Sequence, residues 1–236
     1  MLKAKKDFIE KTKAEHGYSG RITGFSRCAK CGGACCKVNS CACVPADFED
    51  LSVEGIERAL DTGNYMITAV YRNASKEGIP FIPVPFLAAR EVGAPENGVN
   101  ITMVHSMCAL LGDDGCILSE DERPSQGLLL IPKEEDQCVC YVNAPGELWF
   151  PYREVFDEVI RKRTGKTAQD FFEEEAEPLA HSIEEKIRDA IMNEGYITKS
   201  DYLIAKAMLF LGMFNYFLGA TDTMLIRASM RQIKLQ

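Results

Sequence analysis

The sequence predicts an α+β protein: a cysteine-rich module of short strands and loops around one or two metal centres, followed by a helical C-terminal part. Three observations predict it. The ten cysteines all fall between Cys28 and Cys140. Net charge is +4 over residues 1–27, −10 over 28–150 and −2 over 151–236, so the cysteine-bearing stretch is also the acidic one. After Pro151 the apolar pattern passes from short strand-like runs to helical periodicity. The chain therefore divides into an N-terminal helical arm (1–27), a metal-binding module (28–150) and a helical region (151–236).

The arm, MLKAKKDFIEKTK at its start, has lysines but neither a long apolar core nor a small-residue cleavage site. It reads as a solvated helix rather than a secretory signal, which places the expected location in the cytoplasm. The stretch 46–63 has helical spacing and a glycine stop at Gly63. Beyond it the runs 99–104, 115–119 and 138–142 read as short strands, with Gly112 to Gly115 as a turn. Val155, Phe156, Val159 and Ile160 share one helical face, with Arg161, Lys162 and Arg163 in the last turn and Gly165 as the stop. Thr167 and Thr198 each have an aspartate three residues on, a capping arrangement. Ile183, Ile187 and Ile191 recur every four residues and predict one buried stripe. The apolar run 203–220 is interrupted by Lys206, Gly212 and Asn215. It is expected to be a buried helix at a homo-oligomer interface, not a membrane span.

Composition narrows the function. With 46% apolar and 26% charged residues the 236-residue chain is globular, and its formal charge of −8 excludes a whole-surface nucleic-acid binder. The expected partner is an unidentified protein or small-molecule substrate. In a reducing cytoplasm, cysteines serve as metal ligands or catalytic groups more often than as bridges.

Six cysteines (Cys28, Cys31, Cys35, Cys36, Cys41 and Cys43) fall within sixteen residues, and four more (Cys108, Cys116, Cys138 and Cys140) fall between 108 and 140. Cys28 and Cys31 flank two residues and precede Gly32-Gly33, which lets amide N–H groups turn toward thiolates. Adjacent cysteines such as Cys35 and Cys36 cannot easily face one ion, so one belongs to a second shell or site. Cys41 with Cys43 and Cys138 with Cys140 have the spacing that puts two sulfurs on one face of a strand. A tetrahedral zinc site takes four thiolates, and so does a 4Fe–4S cluster. The supply exceeds one site.

This constellation resembles the YkgJ-like cysteine-cluster family, described as zinc- or iron-chelating and related to flagellin lysine N-methylase. The resemblance rests on Cys28, Cys31, Cys35 and Cys36, on Cys108-Ala-Leu-Leu, on Asp114-Gly115-Cys116-Ile117-Leu118 and on Arg123-Pro124, and covers roughly residues 28–132. It implies metal ligation by Cys28, Cys31, Cys35, Cys36, Cys108 and Cys116. One position departs: where the family has a further cysteine, three residues after the proline, this chain has Gly127. Cys138 or Cys140 is the expected replacement, which completes the predicted ligand set. Cys41 and Cys43 have no counterpart, and a second site for them stays open.

Spacing leaves the metal open between zinc and iron–sulfur. The surplus of thiolates favours an iron–sulfur cluster, and with it a cluster-dependent oxidoreductase or a modifying enzyme such as a methyltransferase. The alternative is a structural zinc module presenting the helical tail to a partner protein. A cleft beside Cys108 and Arg123 is the expected place for chemistry, with Arg123 available to pair with an anion. His105, three residues before Cys108, is expected to be a strand histidine rather than a ligand, and His16 and His181 to face solvent. The acidic run Glu173-Glu174-Glu175 reads as a solvated helix face. No phosphate loop or dinucleotide fingerprint is present.

Overall fold

The computed structural model describes residues 1–17, 32–34, 36–37, 40–74, 79–100, 107–113, 115–134, 137–140, 145–193, 195–210, 212–231 and 234–235. The architecture mixes helix and strand, as the sequence predicts.

Helix α1 (Lys3–Glu15) opens the chain and α2 (Val53–Asp61) follows the cysteine-rich segment. Helix α2 begins later than its spacing suggests. Ser52 is the N-cap and its side chain accepts from Gly55 N, so residues 46–51 stay outside the helix. Gly63, at φ 73°, ends the turn that follows.

The centre of the molecule is an antiparallel hairpin of β1 (Tyr65–Ala74) and β2 (Ile79–Ala89), in register from Tyr65 opposite Ala89 to Arg72 opposite Ile82. This hairpin is the element that the sequence reading passed over. Strand β2 carries prolines at 80, 83 and 85, which ordinarily argue against a paired strand. For Pro83 and Pro85, phase explains the exception. Ala89 N and Leu87 O bond to Cys41 and Cys43, so odd-numbered residues of β2 turn their backbone groups away from β1. Pro83 and Pro85 share that phase, so neither removes a bond between the two strands.

Strand β3 (Leu111–Gly112) and strand β4 (Gly115–Cys116) form a tight hairpin around the predicted turn. Helix α3 (Ser125–Leu128) leads into a second hairpin, β5 (Leu130–Glu134) with β6 (Gln137–Cys140). The expected strand at 99–104 lies largely outside the described residues; its first residue, Val99, makes a parallel bridge to Ile67.

Helix α4 (Pro145–Trp149) precedes α5 (Arg153–Thr164), which buries Phe156, Val159 and Ile160 and stops at Gly165 with φ 76°, as predicted. Helix α6 (Ala168–Met192) is capped by Thr167, whose Oγ1 accepts from Asp170 N at 3.1 Å. Its buried stripe differs from the expected one at its end: Ile183 and Ile187 are buried, but Ile191 is 45% exposed and Ala190 takes the inward position. A four-residue step advances about 40° on a 3.6-residue turn, so two such steps rotate Ile191 off the face. Glu173 also departs from a solvated face. It accepts from Tyr216 Oη and from Gln169 Nε2.

Strand β7 (Tyr196–Ile197) pairs in parallel with β8 (Lys234–Leu235) at the other end of the tail. Between them the apolar run divides into α7 (Lys199–Phe210) and α8 (Met213–Phe217), followed by α9 (Gly219–Ser229). The break is Gly212, at φ 76°. A Cβ there would lie 2.6 Å from the Tyr71 carbonyl oxygen, so the chain bends where it meets β1. Among the described residues no helix is long and apolar enough to cross a membrane.

One core joins strands and helices. Met66 and Leu87 from the central hairpin pack with Trp149, Phe156, Phe172 and Phe214. Trp149 is fully buried, and its Nε1 donates to Cys43 O at 2.8 Å.

Candidate metal centre

The end of β2 is the frame on which the two groups of cysteines hang. On one side Cys43 N donates to Leu87 O and Ala89 N donates to Cys41 O, each at 2.8 Å. Immediately beyond the strand, Glu91 forms an antiparallel bridge with Cys108, and Ala109 N donates to Arg90 O at 2.8 Å. Cys108 N then donates to Cys36 O at 2.8 Å. Residues more than seventy positions apart are thus held side by side through main-chain bonds. The β3–β4 hairpin places Cys116 opposite Leu111.

Cys36, Cys41, Cys108 and Cys116 line one pocket together with Arg123 and Gly127. Its empty space, open mouth included, is about 470 Å³. Cys108 is buried, and the other three are half-buried. Cys36 and Cys116 pack against a small apolar cluster formed by Ala89, Cys108, Leu110 and Leu118. The donors are soft, the walls are apolar, and Arg123 is the charged side chain among the described lining residues. In donor type, such a lining matches what a thiolate-held metal group takes. Cys43 and Cys116 carry free thiols.

Of the predicted ligands, Cys36, Cys108 and Cys116 are brought together. Cys28, Cys31 and Cys35 lie outside the described residues, as does His105. Cys138 and Cys140 lie in β6, at register positions opposite Pro132 and Leu130, and Leu130 lines the pocket. Among the described residues no three His, Cys, Asp or Glu side chains form a group that could hold a metal ion.

The residue that sequence reasoning left unassigned is Cys41. The signal was its pairing with Cys43, but the two part company in the fold. Cys41 lines the pocket, while Cys43 is fully buried in the main core. Burial pushes the Cys43 thiol well above its ordinary value of 9.0; Asp47 adds to the rise, and Lys5 opposes it. Gly127 stands against Cys41: a Cβ built on it would lie 3.3 Å from Cys41 Sγ and 3.4 Å from Arg123 Cγ.

A buried polar hub fixes the wall that carries Arg123. Asp47 accepts from Val44 N at 2.8 Å, from Ser125 Oγ at 2.5 Å and from Ser125 N at 3.1 Å. Lys5 corrects the expectation of a solvated arm. It is 1% exposed, and its Nζ donates to Arg123 O at 2.5 Å and to Asp121 O at 2.9 Å. The α-amino group of Met1 lies 2.8 Å from Asp121 Oδ2. Helix α1 is therefore fastened to the 121–125 segment, and Asp47 ties that segment to the residues just after Cys43. His16 is exposed, and His181 is 51% exposed beside Glu177 and Glu184, as expected.

Comparison of the chain with protein-family models, with curated proteins and with solved structures gives no match.

Proposed function

We propose that the chain is a metal-binding protein whose pocket holds an iron–sulfur group in thiolate ligation, and that it works as a cluster-dependent oxidoreductase or modifying enzyme. One observation carries the reading. Cys36 and Cys41 from the first cysteine group and Cys108 and Cys116 from the second line the same pocket. Ligands of one centre must converge from distant segments, and these four cysteines do. The resemblance to the YkgJ-like family supports the same reading, and so does the supply of ten thiols, which exceeds what one closed zinc site needs.

When bound, such a group supplies one-electron transfer or an open iron position. The chain's own residues set its surroundings. The apolar walls exclude water from the sulfurs, and the Arg123 side chain brings positive charge to a pocket of anionic thiolates. The half-buried edge near Cys116 leaves the pocket open on one side, where a substrate or electron partner would approach.

The alternative is a closed zinc module that organises the fold. The main-chain bonds that tie Cys41 to β2, and Cys36 to Cys108, favour it, since they give the pocket a structural role. Anaerobic purification, a visible spectrum, and iron, zinc and sulfide analysis separate the two. A broad brown absorption with matched iron and sulfide supports the cluster. A colourless protein with one or two zinc ions per chain overturns it in favour of the module.

A further inference from the structure

We propose that Cys41 is a ligand of this centre and that Gly127 is a glycine in order to make room for its sulfur; the inference rests on reading the pocket as a metal centre. Cys41 and residue 127 address one point from opposite walls. Cys41 comes from the segment bonded to the end of β2, through Ala89 N to Cys41 O at 2.8 Å. Gly127 comes from α3, and the two segments are clasped by Ala42 N donating to the Gln126 side-chain oxygen. The 3.3 Å between Cys41 Sγ and a Cβ at position 127 is tighter than ordinary van der Waals contact, so a larger residue there would make the sulfur give by a few tenths of an ångström, and Arg123 Cγ, at 3.4 Å, with it.

No backbone demand explains this glycine. Gly127 is not among the glycines with positive φ, and it lies within α3, where glycine is a poor helix former. The use that remains is clearance, first for Cys41 Sγ and next for the Arg123 stem that lines the same pocket. Cys43 serves as the internal contrast, two residues away on the same segment yet fully buried in the main core.

The shared position makes the assignment testable by exchange. C41S, C43A, G127C and C41S/G127C are made in the full chain and purified anaerobically. Each apo-protein is reconstituted with ferrous iron and sulfide, and separately with zinc. Metal per chain, the visible spectrum and the rate of metal loss to a chelator are read, with far-UV circular dichroism to confirm folding. C41S is expected to lose metal to chelator at least tenfold faster than wild type, C43A to hold it as wild type does, and C41S/G127C to recover most of the loss. C41S that matches wild type in metal content and chelator rate overturns the role of Cys41. A double variant no better than C41S overturns the shared position. Should C41S fail to fold, the double variant decides: a folded, metal-loaded C41S/G127C supports the assignment, and an unfolded one overturns it. A wild-type chain that takes up neither iron with sulfide nor zinc overturns the metal-centre reading itself, a result no single variant can imitate.

Discussion

Lys5 Nζ lies 3.4 Å from Asp47 Oδ1, with both side chains nearly sealed from solvent. The pair joins α1 to the segment that leaves the cysteine-rich region, and both partners are also hydrogen-bonded to the 121–125 segment. Removing one partner of a buried, hydrogen-bonded ion pair costs about 3–5 kcal/mol, because the other is left uncompensated. K5M is therefore expected to lower unfolding free energy by about 3 kcal/mol, and K5M/D47N by less than the sum of the two single changes. Urea denaturation of the three variants checks both statements; strict additivity would show that the two groups do not interact.

Two glycines with the same left-handed conformation should answer differently to alanine. Gly165 and Gly212 both have φ 76°, but a Cβ at Gly165 meets nothing within 4 Å, whereas one at Gly212 meets the Tyr71 carbonyl oxygen at 2.6 Å. G165A should cost about 1 kcal/mol from backbone strain alone. G212A should cost about 3 kcal/mol or more, since α7 and α8 must also shift against β1. Thermal melting of the two variants, side by side, measures the difference. Equal losses would mean that the bend at Gly212 is not set by its contact with β1.

Stability should fall at alkaline pH, and Tyr71 is one reason. Its phenol is pushed well above the ordinary value of 10.0, first by burial and then by Tyr216 and Glu173. The unfolded chain releases that proton at the ordinary value while the folded chain keeps it. The stabilisation is thus fully present below pH 10 and is lost as pH rises toward the raised folded value, at up to about 1.4 kcal/mol per pH unit. Y71F removes the titrating group and is expected to flatten the decline between pH 9.5 and 11. Urea midpoints across that interval provide the check, and an unchanged slope in Y71F would assign the decline elsewhere.

Cys43 is expected to be inert toward thiol reagents in the native protein. It has no exposed surface, and its raised ionisation leaves little thiolate. C43A should fold, at a cost of about 1–2 kcal/mol for the small cavity. Alkylation followed by peptide mass mapping, with and without urea, tests the first statement. Labelling of Cys43 at the native-state rate of an exposed thiol would contradict it.

The helical tail was legible because its signals are local. Gly165, Thr167 and Thr198 act within one turn of chain, and each stands in the structure as the pattern implies. The central hairpin was not, because its prolines are tolerated only through their phase relative to β1, and phase is a property of pairing rather than of composition. Lys5 was misread for a related reason: nothing near it in sequence shows that two carbonyls and Asp47 await its ammonium group. Within the site, Cys36, Cys108 and Cys116 could be named from spacing and resemblance. Cys41 could not, since its place depends on which way the segment before Pro45 lies against β2.

The phase of Pro83 and Pro85 has a consequence for how the chain behaves in a crowd. A strand that turns amide donors outward is a template onto which another extended chain can zip. Along this part of β2 the positions facing away from β1 are prolines, buried in the fold, which offer carbonyls without the alternating N–H groups that edge-to-edge association requires. Were partial unfolding to bare this edge, the longest hairpin of the described fold would still be a poor template for strangers, through the same residues that disguised it as something other than a strand.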